Sequence, residues 1–330
     1  MRLDKIREQK ALRSRSVQPL YPNPTEELEY RPASHYRKKI LRRAKDLLSP
    51  LLYSLHQRKW RSLVGPEVAP WAKTLSLDGQ YRGNLAWRSA QKMLGTFRGK
   101  DVLLPGCHFN SAETRDWLET SVRSVTLIDI VDWSESFQRA LPHLRKQYRP
   151  ELRSFFGSLE KLPFPDESFD LIETRAVLEH VGNMDAAARE MARVLRRGGV
   201  AVHAFGPLYF CAGGDHCIGA YGPRHAYDHL LLDEEEYQRR LKDEAAFEAM
   251  GKEKSDARYW AIQGIFSYLT PNEYLECFRR AGFTGEAHAN LSASGCQFRR
   301  QEPEMWRKLV ETGISEEALL VGGMLTIQRK

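Results

Sequence analysis

Long apolar runs are missing from this chain of 330 residues. No stretch approaches the roughly 18 apolar residues that a spanning helix needs, which excludes an integral helical membrane protein. The opening segment, MRLDKIREQK, has no apolar core, so no secretory signal is expected. Cysteine is sparse and unpatterned. Cys107, Cys211, Cys217, Cys277 and Cys296 make an odd number without a C-x-x-C pair. That argues against a disulfide framework or a zinc ribbon, and a reducing cytoplasm is the expected setting. A G-x-G-x-x-G run is also missing, which counts against a nicotinamide oxidoreductase.

What is present suits a globular protein, with 42% apolar and 10% aromatic residues. The length fits one large or two small domains. The net charge of +7 is unevenly spread. Residues 1–64 hold 16 Lys and Arg against 6 Asp and Glu, a balance of +10, and the rest of the chain sums to −3. An anionic partner, nucleic acid or membrane surface, would meet the N-terminal arm first.

Residues 1–33 are basic and carry Pro19, Pro22, Pro24 and Pro32, and they read as an extended arm. Residues 34–98 read as a helical extension. Its first helix, 34–59, places Tyr36, Ile40, Ala44, Leu47, Leu48, Leu51, Leu52 and Leu55 at helical spacing, with a kink expected at Pro50. Its crowded Arg and Lys residues read first as a solvated face, and second as a peripheral membrane or nucleic-acid contact. A second helix is expected over 84–98.

From residue 99 the texture changes. Short apolar strands are expected at 101–104, 124–128, 152–156, 169–174 and 200–205, alternating with helices at 112–120, 134–148 and 185–197. The alternation predicts a doubly wound, mostly parallel α/β sheet, whose ligand sits at the carboxyl ends of the strands. Residues 206–265 interrupt it with a Gly- and His-rich loop and a charged helical stretch at 233–250. It resumes with a helix opened by Thr270-Pro271-Asn272-Glu273 and ended by Gly282, then strands near 285–291 and 323–328.

Three segments now become recognisable: GSLEKLPFPDESFDLIETRAVLEHV (157–181), REMARVLRRGGVAVHAF (189–205) and LTPNEYLECFRRAGF (269–283). Their order and spacing resemble the class I S-adenosylmethionine-dependent methyltransferases over residues 99–205 and 266–330. The resemblance implies a seven-stranded Rossmann-like sheet in a domain spanning 99–330, with 206–265 as a lid, and S-adenosylmethionine as cofactor. The glycine turn departs from the family pattern. After the first strand the chain reads Leu104-Pro105-Gly106-Cys107-His108-Phe109-Asn110, with one of the usual three glycines and no acidic residue at Leu104. His108 and Asn110 stand at the other glycine positions, and both types tolerate positive φ better than most, so they are expected to adopt it there. Gly106, Cys107, His108 and Asn110 are thus implied cofactor contacts. So is Asp129, which ends the second strand and would accept the ribose hydroxyls, with Ile130 after it. Ser158 stands where the family often has an Asp near the adenine amino group, and Leu159 would add a backbone contact. Arg175 would line the methionine end.

Transfer from a sulfonium asks the protein mainly for alignment. A hydroxyl acceptor gains from a general base, and His216, His229 and His180 are the candidates. The Asp and His residues of the loop show no known zinc spacing, and no metal is expected. The expected acceptor is a small molecule or glycan. The alternatives are an RNA or protein acceptor reached through the basic arm, and a scaffold that has lost the cofactor. The oligomeric state is not legible.

Overall fold

The computed structural model describes residues 7–8, 57–77, 82–217, 223–249 and 256–330. The expected arm at 1–33, residues 7 and 8 apart, and the helix expected over 34–59, its last three residues apart, lie outside the described residues. Residues 57–64 are helical.

Among the described residues, eight strands form one sheet. They are β1 (Leu75–Leu77), β2 (Asp101–Pro105), β3 (Ser124–Asp129), β4 (Glu151–Phe156), β5 (Phe169–Arg175), β6 (Leu195–Phe205), β7 (Thr284–Leu291) and β8 (Val321–Arg329). Their order is β1-β7-β8-β6-β5-β2-β3-β4. All neighbours run parallel except β8, which is antiparallel to both β6 and β7. The seven expected strands are all there. β1 adds an eighth at the edge, and its three residues, LSL, are too few to show a period.

The strands alternate their contacts. Val102 and Leu104 of β2 face one core with Val125, Leu127, Leu171 and Val200. Leu103 faces the other with Ile128, Ile172, Ala201 and Phe205. Period-2 side chains buried on both sides are what a doubly wound sheet requires. The helices Ala112–Leu118 and Ser134–Gln147 cover the first face, and Met184–Val194 and Pro271–Arg280 cover the second. Thr270 and Glu273 close a capping box at the start of the last of these. Three further helices, Ala293–Gln301, Pro303–Glu311 and Glu316–Leu320, fill the connection from β7 to β8.

The first part of the interruption, with Leu208, Tyr209, Phe210, Ala212, Ala226, Tyr227 and Leu230, packs into the second core, and its helical part forms a smaller one. The expected helix 233–250 is two helices, Glu234–Leu241 and Glu244–Ala249, with Asp233 capping the first through Glu236 N–H. Cys217, Tyr237, Leu241, Phe247 and Ala261 form a core separate from the two beside the sheet.

The chain lays down β2, β3 and β4 outward in one direction, then returns to place β5 on the other side of β2. That reversal opens the crevice where ligands of such sheets sit.

Candidate functional site

At the carboxyl end of β2 the chain turns on Gly106. Its φ is +69° and its N–H donates to Ile128 O at 2.8 Å. A Cβ here would run into the methyl groups of Val177, so both conformation and space demand glycine. The expectation of positive φ at His108 and Asn110 is corrected: neither adopts it. Side chains do what the missing glycines would have done. Asn110 N–H donates to His108 Nδ1 at 3.2 Å, Ser111 N–H donates to His108 O at 3.0 Å, and Ser111 Oγ caps the following helix through Thr114 N–H. Cys107 is buried, which pushes its thiol up to about 12, with Glu113 and Glu173 adding to the shift. It is no nucleophile.

Asp129 ends β3 half-buried, beside this turn. Its Oδ1 accepts Val131 N–H at 2.9 Å. Burial raises its pKa, against the opposing pull of that N–H. Trp133 lies next to the same carboxylate and packs its ring on His108 at 5.5 Å. Its buried indole nitrogen borders the Asp129 carboxylate and opposes part of that rise. Ile130 is 43% exposed. Gly157 N–H donates to Asp129 O at 2.8 Å, which brings the start of the next loop alongside. There Ser158 Oγ accepts Glu160 N–H, and Leu159 is buried. The structure therefore brings together Gly106, His108, Asp129 and Ser158 on neighbouring strand ends. An acceptor carboxylate and aromatic faces beside it fit a nucleoside with ribose hydroxyls.

Arg175, at the end of β5, is committed inside the chain. Its guanidinium meets Glu173 at 2.7 Å and Glu113 at 3.1 Å. Glu173 is buried and also accepts the indole N–H of Trp117. The Glu113–Arg175–Glu173 triad was not foreseen. Part of it had a signal: Glu173 and Arg175 are two residues apart on a strand and so share a face. Glu113 comes from a helix 62 positions away, and nothing local announces it.

On the far side of β5 stand the histidines. His180 follows the strand in a single 3₁₀ turn, and its Nδ1 faces Ile265 O at 2.8 Å. His216 lies in the segment after β6 with φ +64°, and its Nε2 faces Pro207 O at 3.2 Å. The two rings are 4.8 Å apart, and Trp260 packs against both. Facing a carbonyl fixes each tautomer: the bonded nitrogen carries the proton and the other keeps its lone pair. Burial pulls His180 down to about 3 and lowers His216 as well, so both are neutral at ordinary pH. His229 stands near enough to His216 for its charge to help lower that ring. His229 is buried, and its Nε2 is bonded to Tyr209 O at 2.8 Å.

Residues 105–203 match the sequence profile of a methyltransferase domain family. A Mycobacterium tuberculosis protein, named as a probable S-adenosylmethionine-dependent methyltransferase, is 32% identical over 110 residues, 33% of this chain and 37% of that protein. The ubiquinone/menaquinone biosynthesis C-methyltransferase UbiE of Xanthomonas oryzae is 57% identical over 42 residues, 13% of this chain and 17% of that one. The chain spans only about a third of the length of the first curated relatives it matches, 34% and 37%. Among solved structures, an S-adenosylmethionine-dependent methyltransferase of Mesorhizobium loti aligns at TM-score 0.41 and 17% identity, over 74% of this chain and 97% of that one.

Proposed function

We propose, from the premise that this chain carries a class I S-adenosylmethionine-dependent methyltransferase domain, that it methylates a hydroxyl of a small molecule or glycan. The observation that carries the reading is the pairing of Gly106 and Asp129 at adjacent strand ends beside the point where strand order reverses. Asp129 would hold the ribose hydroxyls, Trp133 and His108 would flank the base, and Ser158 with Leu159 would border it. Gly106 lets the backbone come close, and Cys107 and Asn110 shape the turn. Bound there, S-adenosylmethionine supplies a methyl group carried on a sulfonium, open to in-line displacement by a nucleophile.

On the neighbouring strand ends, His180 and His216 face the acceptor side as neutral imidazoles, each with one lone pair to receive or orient a hydroxyl proton. His229 supports their roof by tying Asp228–Leu231 to Tyr209. In this reading residues 206–265 form the lid, 34–98 the extension and 1–33 an arm. Among the described residues no helix is long and apolar enough to cross a membrane.

Calorimetry with S-adenosylmethionine tests the cofactor assignment. Asp129→Ala is expected to weaken binding about 10- to 100-fold, the worth of a charged hydrogen bond or two. Unchanged affinity would remove Asp129 from the site, and no heat with the parent chain up to millimolar cofactor would favour a scaffold. A screen with label-bearing cofactor over hydroxyl compounds, glycans, RNA and protein decides the acceptor.

A further inference from the structure

We propose that Glu179, His180 and His216 form a binding site for one divalent transition-metal ion on the acceptor side of the crevice. One ligand atom from each residue, an imidazole nitrogen from each histidine and a carboxylate oxygen, lies within 4.8 Å of the other two. The loaded geometry is tighter, about 3.4 Å between donors when bonds are about 2.0–2.1 Å in a tetrahedron, so closure asks for small side-chain shifts.

The surroundings of the three residues favour a ligand set over a packing cluster. No hydrogen bond joins the two imidazoles. Each gives one nitrogen to a backbone carbonyl, His180 to Ile265 O and His216 to Pro207 O. That outer partner is what orients a metal-binding imidazole and leaves its other lone pair for the ion. Glu179 is steadied in the same way, since its Oε1 accepts Gly206 N–H at 2.9 Å and its backbone carbonyl accepts Ser267 N–H at 2.9 Å. Trp260 and Phe266 wall the histidines with aromatic faces.

Two imidazoles and one carboxylate are borderline donors. They suit Zn²⁺, Mn²⁺, Fe²⁺ or Co²⁺ and leave positions open for water or an acceptor oxygen. The place is apt. Glu179 and His180 follow β5 and His216 follows β6, while the cofactor turn follows β2, the other neighbour of β5. Strands are about 4.8 Å apart, so an ion here would stand one or two strands from the transferred group and, when bound, would polarise a hydroxyl in place of proton uptake by the two imidazoles. The spacing of the donors in sequence hides the set, since His216 lies far along the chain from the Glu179-His180 pair.

The test reads binding and not turnover, so a failure of the methyl-transfer reading and a failure of this site are separate results. The full chain, stripped with chelator and dialysed, is titrated with Co²⁺, Mn²⁺ and Zn²⁺ in turn. One ion per chain is expected for at least one of the three, with weakening of tenfold or more in His216→Asn and in His180→Asn. Asn keeps a residue tolerant of positive φ at 216, and circular-dichroism melts confirm folding. X-ray absorption of the loaded parent chain, which needs no variant, should count two imidazole ligands. No binding tighter than millimolar by any of the three ions would overturn the site. So would unchanged affinity in both folded variants, or a spectrum without imidazole.

Discussion

The two ends of the same parallel strands are built on opposite principles. At the amino edge, Asp101 is bonded by Arg123, by Ser124 Oγ at 2.7 Å and by Arg196 at 3.0 Å. Asp170 takes Lys100 at 3.1 Å, Arg196 at 2.6 Å and the Asp101 N–H at 2.9 Å. Each acid there is answered by cations or N–H groups. At the carboxyl edge, burial wins over the available partners: Asp129 and Glu173 are both raised. The same residue type is thus pushed in opposite directions 28 residues apart, from Asp101 to Asp129. The amino edge fastens strands together. The carboxyl edge keeps, in Asp129, an acid that a ligand can complete, and such perturbed groups in a cleft mark functional ends of a fold.

Removing Arg175, a half-buried cation on the carboxyl edge, should do the most damage. Arg175→Ala leaves Glu173 buried beside Glu113 with no positive neighbour, which is expected to cost about 3 kcal/mol or more. Chemical denaturation measures it. Adding Glu173→Gln should return part of the loss, because a neutral amide can still accept the Trp117 indole N–H. A double variant no better than the single one would show that Arg175 acts by packing and not by charge.

Gly106→Ala comes next. The left-handed φ costs roughly 1–2 kcal/mol for a residue with a Cβ, and the Val177 methyls add a clash. Trimming the wall with Val177→Ala should relieve the clash but not the backbone term, so a melting series of the single and double variants separates the two. Full recovery in the double variant would mean that space alone demanded glycine.

Most of the sheet was legible in the sequence because its signals are local. The strand that ends at Asp129, the Thr270–Glu273 cap and the last two strands all fall where apolar runs and turn residues put them. The carboxyl edge was legible in part. Gly106 and Asp129 sit in recognisable places, but the conformations at His108 and Asn110 do not follow from residue preference, because Ser111 and the His108 ring build the turn by hydrogen bonds instead. The pairing of His180 with His216, and of Arg175 with Glu113, depends on segments that meet only after the sheet has closed. The contact of His229 with Tyr209 likewise joins residues 20 apart.

The smallest expected effect is the most pointed test of the contrast between edges. Asp101 is held down to about 2 in the folded chain by Arg123, Ser124 and Arg196, although burial alone would raise it. Its folded value lies below the unfolded one of 3.8. The stabilisation it gives is therefore present above pH 3.8 and disappears as pH falls toward 2; partial solvent screening leaves it at about 1–2 kcal/mol. Asp129 has the opposite sign. With its folded pKa raised, ionisation costs stability above that pKa, and the cost is relieved as pH falls through it. Asparagine mimics the protonated acid at either position and can still accept the Val131 N–H at 129. At neutral pH, Asp101→Asn should thus lower the melting temperature and flatten its acid dependence. Asp129→Asn should leave the melting temperature unchanged or raise it while weakening cofactor binding. If both substitutions lowered stability alike, the carboxyl-edge acid would be fastening the fold just as the amino-edge acid does, and the division of labour between the two ends would be lost.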